Sequence, residues 1–284
     1  MTAKDPTRLV LLGTGTPNAE PNRAGSALAV IVDDTPYLVD CGPGVVRQAN
    51  AAAQNQIAAL QPNRLACAFL THLHSDHTLG CPDLIFTPWV LGRTEPLRLF
   101  GPAGARAMIE HLQAAYQADI AERLTGLEPA NPTGYETIVT EIEPGRVFEN
   151  HHLRVDAFPA VHGSWPAVGY RFTTPHGVIV ISGDTAPHPQ MTDYYRDCDI
   201  LVHEVMSADR LAGRSPAWQQ YHRAVHTSTR QLAQIAAQVQ PKRLILTHVL
   251  FWGQSPAALV AEITADYSGE VILGHDLDVF SLPD

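Results

Sequence analysis

The run Thr71-His72-Leu73-His74-Ser75-Asp76-His77 places four metal-capable side chains within six residues, in the order His-x-His-x-Asp-His. Neutral imidazole and carboxylate are the donors that a borderline divalent ion such as zinc takes up. A helix would scatter this set, because only positions three or four apart share a helical face. The run follows an apolar stretch, Leu65 to Leu70. It is therefore expected as a loop at a strand end, where a bent backbone turns alternate side chains toward two neighbouring ions.

Three later positions repeat the pattern of a metal-competent residue directly after an apolar strand. His162 follows Phe158-Pro159-Ala160-Val161, Asp184 follows Val178 to Ser182, and His248 follows Leu244-Ile245-Leu246-Thr247. Any one alone would be an ordinary loop histidine or turn aspartate. Together with the first cluster they supply what a two-metal site needs.

The elements that must carry these residues alternate along the chain. Strands are expected at Arg8 to Leu12, at Ala27 to Val32 and Tyr37 to Val39 as a hairpin, and at Leu97 to Phe100. Helices are expected over Val45 to Leu60, over Pro82 to Leu91 as far as Pro88, and over Ala103 to Leu124. Short strands then dominate: Thr137 to Ile142, Leu153 to Phe158, Ala167 to Phe172 and Val178 to Ile181. Alternation resumes with strands at Ile200 to His203, Leu244 to Leu246, Val271 to Leu273 and Val279 to Leu282, and helices at Ser228 to Val239 and Pro256 to Ala265. Strands in two groups with interspersed helices suggest two face-to-face sheets covered by helices. Ligand candidates fall in both groups, so residues 1–284 are expected to act as one domain whose halves share a site.

Composition bounds the function. The chain has 284 residues, 45% hydrophobic and 17% charged, which is enough for a sizeable core. No stretch approaches the roughly 20 uninterrupted apolar residues of a membrane span. Met1 to Arg8 is polar and shows no signal peptide. The four cysteines, Cys41, Cys67, Cys81 and Cys198, form no C-x-x-C pair and are expected to be reduced and structural, in a cytoplasmic protein. The net charge of −10, with Lys4 and Lys242 as the only lysines, argues against a protein that wraps nucleic acid, although a local arginine patch could coexist with it.

The chain resembles the metallo-β-lactamase-fold hydrolases from near Leu9 to Phe280, and within them the ribonuclease Z and arylsulfatase-like branch. The resemblance rests on Leu12-Gly13-Thr14-Gly15-Thr16-Pro17, the histidine run, Leu91-Gly92-Arg93-Thr94-Glu95-Pro96-Leu97, Ser182-Gly183-Asp184-Thr185, Leu201-Val202-His203-Glu204, His226-Thr227-Ser228 and Leu246-Thr247-His248. It implies a four-layer αββα sandwich of the α/β class with a dinuclear site. His72, His74 and His162 would hold one ion, and Asp76, His77 and His248 the other, with Asp184 bridging them. The ions are expected to be zinc, with manganese or iron also accepted by such donors. Water shared between two dications is acidic enough to supply hydroxide near neutral pH.

Asp76, Glu204 and His226 are the candidate catalytic residues. The resemblance pairs Glu204 with His226; a carboxylate behind an imidazole favours its protonated form, which can protonate a leaving oxygen. His203 is expected in the core, and His222 is a weaker alternative to His226. Gly13 and Gly15 lack the full phosphate-loop pattern and are expected to form a tight turn.

Substrate identity stays open at this stage. Ribonuclease Z enzymes commonly carry a long arm between the positions of His162 and Asp184, where this chain has 21 residues, two strands and a turn. That, and the acidic charge, favour a small phosphodiester or sulfate ester as substrate. Trp165 would then wall the pocket or pack in the core. The alternatives are a ribonuclease Z-type tRNA 3′-processing endonuclease, a carboxyl-ester or lactone hydrolase, and a non-enzymatic metal-binding sensor. A basic patch near the metals would favour RNA. The resemblance also suggests a homodimer, with Leu84 to Leu91 as contact surface, lid or core, and no membrane partner.

Overall fold

Asp33 and Asp34 both take left-handed conformations, with φ of 47° and 65°, and join two strands in the tight turn whose twist suits a hairpin. The computed structural model describes residues 7–283; Met1 to Pro6, with Lys4 and most of the polar N-terminal stretch, lie outside the described residues, as does Asp284. The chain divides into two compact units, the first ending at Ile142 and rejoined by Asp276–Phe280, the second covering Glu143–His275 and the last residues.

The first unit is built on a seven-stranded mixed sheet. Its elements are β1 (Thr7–Gly13), β2 (Ala27–Val32), β3 (Thr35–Val39), α1 (Val45–Gln54), β4 (Cys67–Phe69), α2 (Ser75–Thr78), α3 (Cys81–Val90), β5 (Leu97–Gly101), α4 (Ala105–Ala115), α5 (Gln117–Thr125) and β6 (Thr137–Glu141). β1, β2 and β3 pair antiparallel. β3, β4, β5 and β6 run parallel through helical crossovers. The parallel stretch matters for function, because it sets the C-terminal ends of β3 and β4 side by side. In open α/β sheets such ends are where loops gather ligands.

Three expectations for this unit need correction. The helix from Val45 stops at Gln54, where Gln56 turns left-handed, and a short 3-10 turn covers Ala58–Leu60. The helix expected over Ala103 to Leu124 is two helices, parted where Tyr116 leaves helical geometry at φ −101°, ψ 14°. The third is α3, which runs straight through Pro88 to Val90. Proline has no N–H to give Leu84 O, four residues earlier, and its ring crowds that carbonyl. Arg93 supplies what is missing. Its buried guanidinium donates to Leu84 O and Leu65 O from Nη1, and to Ile85 O and Gly134 O from Nη2. Burial with no carboxylate among these partners pulls the Arg93 pKa down to about 10. Arg93→Met is therefore expected to cost roughly 3 kcal/mol or more, by leaving several buried carbonyls unpaired. Urea denaturation checks it; a loss below about 1 kcal/mol would contradict this role for Arg93.

Trp89, Leu84 and Ile85 of α3 are buried core residues, so the segment Leu84 to Leu91 is mainly interior. Gly13 and Gly15 lie where any Cβ would collide with the carbonyl oxygens of Ala24 and Gly25. Asp276 locks the same turn, accepting from Thr14 N, Thr14 Oγ1, Ala24 N and Gln48 Nε2.

The second unit is built on its own seven-stranded mixed sheet. Its elements are β7 (Gly145–Glu149), β8 (Arg154–Pro159), β9 (Val168–Thr174), β10 (Gly177–Ile181), α6 (Met191–Tyr195), β11 (Ile200–Met206), α7 (Ala208–Ala212), α8 (Pro216–Val225), α9 (Thr229–Val239), β12 (Arg243–Leu250), α10 (Pro256–Thr264) and β13 (Val271–Leu273). A last strand, β14 (Val279–Ser281), extends the sheet of the first unit beside β1. β7 to β10 form an antiparallel meander, and β10 to β13 run parallel. β8, β10, β11 and β12 therefore point the same way, and their C-terminal ends share one edge. Strand β7 and helices α6, α7 and α8 were not anticipated from the sequence. The 21 residues after His162 do hold two strands and a turn, closed by His176 N and Gly177 N donating to Thr174 Oγ1.

Candidate metal centre

In the first unit, β4 delivers Thr71 and the histidine run to the sheet edge. His72 and His74 lie in the loop expected for them. Asp76 and His77 do not: they sit on the single helical turn α2. His72 Nε2 and His74 Nδ1 are 3.0 Å apart. Ligands about 2.1 Å from one tetrahedral ion stand roughly 3.4 Å from each other, so a small separation of the rings brings the pair to two donors on one ion. His77 is fixed differently. Its Nδ1 lies 2.8 Å from Asp40 Oδ2. A proton held there leaves Nε2 as the ligand nitrogen, and Asp76 Oδ2 is 3.5 Å from it.

Asp40 is the residue the sequence reading missed. It follows β3 in a left-handed conformation, φ 61°, beside the end of β4. There it also accepts from Thr71 N and Thr71 Oγ1. An acceptor behind a ligating histidine fixes its tautomer and orientation. The available signal was the one used for Asp184, an acidic residue directly after an apolar strand.

In the second unit His162 and Asp184 follow β8 and β10, and Glu204 and His248 lie within β11 and β12; all four are buried. His162 Nδ1 is 2.8 Å from Val225 O, which again leaves Nε2 for a ligand. Asp184 reaches two imidazoles: Oδ1 is 3.5 Å from His248 Nδ1 and Oδ2 is 3.9 Å from His226 Nδ1. His248 was expected just beyond a strand, but it lies inside β12 as a bulge. Pairing jumps from Glu204–Thr247 to Val205–Val249, and His248 takes φ 46° in the gap. A bulge inserts one unpaired residue and re-aims its side chain.

Glu204 also lies within its strand, since β11 continues to Met206. Its Oε1 accepts from Thr227 N at 2.7 Å, and its Oε2 is 3.3 Å from His226 Nδ1. Thr227 Oγ1 donates to Thr185 O, and Ser228 caps α9 with Gln231. The His-Thr-Ser motif thus ties His226 to Glu204, to the Asp184 turn and to a helix start. Burial, then the charge of Asp184, hold the Glu204 carboxyl well above its ordinary range, against the Thr227 N–H that lowers it.

His203 points away from Glu204, as strand neighbours must. Its Nδ1 lies 2.6 Å from Glu204 O and its Nε2 lies 3.2 Å from Tyr195 Oη. One neutral tautomer satisfies both contacts, and burial lowers its pKa to about 4. The unfolded chain, with a histidine pKa of about 6.5, binds that proton more tightly. The resulting stability is present above pH 6.5 and is lost as pH falls toward 4, by up to about 3 kcal/mol. Urea unfolding of the chelated protein at pH 7 and 4.5 checks this. His203→Gln should flatten the acid limb; an unchanged limb would contradict it.

Trp165 is 47% exposed, so it does not pack in the core. The four cysteines are buried free thiols, and burial takes Cys67 and Cys198 up to about 12. Among the described residues no helix is long and apolar enough to cross a membrane.

The donor set in each unit fits divalent metal. The donors are imidazoles and carboxylates, and two of the histidines, His77 and His162, have one ring nitrogen held by an acceptor. His162, Asp184 and His226 offer ligand atoms all within 4.8 Å of one another. The chain belongs to the β-lactamase superfamily, whose domain model matches residues 35–249. Its fold is that of the metallo-β-lactamases. The metallo-β-lactamase fold protein YhfI from Bacillus subtilis aligns with a TM-score of 0.74 at 20% identity, over 97% of this chain and 99% of that one. Within the superfamily the chain is ribonuclease Z-like, a metal-dependent hydrolase. A ribonuclease Z of Mycobacterium avium is 32% identical over 279 residues, 95% of this chain and 96% of its own length. The short form of human tRNase Z shares the fold with a TM-score of 0.71 at 23% identity, over 98% and 100% of the two chains.

These relatives fit the ribonuclease Z alternative better than the small-ester reading first favoured. The missing arm does not distinguish an RNA substrate from a small ester. The mycobacterial enzyme is matched over 96% of its length, which leaves no room for a long extra arm there either.

Proposed function

We propose that this protein is a ribonuclease Z-type endonuclease, which hydrolyses a phosphodiester bond of RNA, a tRNA precursor 3′ end being the model substrate. The near end-to-end match to a ribonuclease Z carries this reading. A second observation favours RNA over a small ester. Residues 207–231 hold Arg210, Arg214, Arg223 and Arg230 against the single acid Asp209, which pairs with Arg230, leaving three arginines in excess in a chain of net charge −10. This cationic stretch leads into His226, where a phosphate backbone would need it.

His72, His74 and His162 would hold one divalent ion, and Asp76, His77 and His248 a second, with Asp184 contributing to the site. In this proposal residues 1–284 work as one domain. Zinc suits the donor set, as do manganese and iron. When bound, such ions activate water and neutralise charge on the phosphate oxygens. The chain's own residues do the rest. Asp40 and Val225 O orient His77 and His162. Glu204 holds His226 by Nδ1, leaving its other nitrogen to give a proton to the departing ribose oxygen. The buried thiols accord with a reducing, cytoplasmic setting, and a homodimer is the expected assembly.

The reading is tested by following bis(p-nitrophenyl) phosphate and p-nitrophenyl sulfate side by side with metal-reconstituted protein. Diesterase activity should dominate and disappear with a chelator. Dominant sulfatase activity would overturn it in favour of the small-ester reading.

A further inference from the structure

Trp218 and Tyr221 stand three residues apart on α8 and are exposed, at 54% and 47% of their surface. Their rings meet edge to face at 5.7 Å. Contiguous exposed apolar surface, unlike scattered single residues, marks an interaction or ligand site. Their surroundings identify the occupant. Trp218 stacks on His222 at 5.5 Å and 24°, and His222 stacks on His226 at 5.8 Å and 27°. A ladder of parallel rings therefore runs from the solvent to the proposed proton donor. Trp252 packs against His222 at 4.6 Å and also carries the Arg214 guanidinium at 4.6 Å from its ring centroid.

His222 itself is 8% exposed, and its Nδ1 has no hydrogen-bond partner among the described residues. Burial lowers its pKa to about 4, so it stays a neutral ring near pH 7. Flat rings with interleaved arginines, in a locally cationic segment of an acidic protein, are the combination that grips unpaired bases.

Resting on the ribonuclease Z-type reading, we infer that Trp218 and Tyr221 form a stacking platform for unpaired bases of the RNA substrate, next to the bond that is cut. The platform grips bases without reading their identity, because every base offers a π-face. Arg214 and Arg223 lie on the same segment to meet the backbone phosphates.

The test compares two RNAs of one backbone, one with its bases and one abasic at the positions flanking the scissile bond, using metal-loaded full-length protein. Trp218→Ala should raise KM about tenfold on the base-bearing RNA, with kcat little changed, and leave the abasic RNA unaffected. Trp218→Phe should recover most of the loss. Binding is read separately from cleavage, by quenching of tryptophan fluorescence on titration with oligouridine.

If RNA is cut and KM ignores Trp218, or changes equally on both RNAs, the platform is refuted while the nuclease reading stands. If RNA is not cut but oligouridine quenching depends on Trp218, the base-stacking role of the face stands, while its place beside a scissile bond and the nuclease reading fall. Sedimentation covers the remaining occupant. A dimer that dissociates in Trp218→Ala with KM unchanged would assign the face to a second copy of this chain and overturn the platform.

Discussion

Asp184→Ala is expected to lower kcat/KM for bis(p-nitrophenyl) phosphate and for RNA alike by at least about a thousandfold. Asp184 Oδ1 lies 3.5 Å from His248 Nδ1 and its Oδ2 lies 3.9 Å from His226 Nδ1, so both oxygens face residues of the proposed site. Charge neutralisation by bound metal is worth several kcal/mol. At 1.36 kcal/mol per tenfold, losing about 4 kcal/mol of it gives the thousandfold figure. The loss should be independent of leaving group and should accompany a fall in metal content, read by elemental analysis of the dialysed protein. Full metal content with near-normal activity would remove Asp184 from the centre. Removing a carboxylate also relieves Glu204 of a neighbouring charge that raises its pKa. The variant should therefore remain folded, and thermal unfolding of the chelated protein separates a lost ligand from a lost fold.

His226→Ala is the second large effect, and its signature lies in the leaving group. A positioned general acid contributes roughly a hundred- to ten-thousandfold. That help matters for a ribose oxygen, which leaves poorly as an alkoxide. It matters little for p-nitrophenolate, which leaves as a stable anion. The variant should therefore lose at least about a hundredfold in kcat on RNA, but less than about tenfold on bis(p-nitrophenyl) phosphate, with metal content kept. Glu204→Gln should follow it in weaker form, because Glu204 holds His226 Nδ1 at 3.3 Å and also accepts from Thr227 N. Equal losses on both substrates would instead make His226 a metal ligand, as its grouping with His162 and Asp184 would then require.

The sequence made the donor set legible for a physical reason. Each candidate follows an apolar strand, and a strand end is where a chain leaves hydrogen-bonded pairing and can aim a side chain freely. What stayed hidden depended on pairing between distant segments. Asp40 becomes a partner of His77 because β3 and β4 are parallel neighbours, which no local pattern announces. The bulge at His248 exists only as a register jump against β11, so the sequence placed the strand end before it. Helix α3 passes Pro88 because Arg93, from beyond the helix, replaces the missing donor. Helix α8 carries Trp218, Tyr221, His222 and Val225 at i, i+3, i+4 and i+7, a single helical face, so this helix was legible in the sequence and went unread. The substrate reading shifted for a similar reason: an absent arm suggested a small ester until a ribonuclease Z of the same compact length stood beside it.

The most direct test of the account is cleavage of a 3′-extended tRNA transcript by the metal-loaded protein, with both ends of the products mapped. The account predicts a single endonucleolytic cut near the 3′ end, abolished by a chelator and by Asp184→Ala and restored to the wild type by added zinc or manganese. An intact transcript, under conditions where p-nitrophenyl sulfate or a carboxyl ester is turned over, would contradict it.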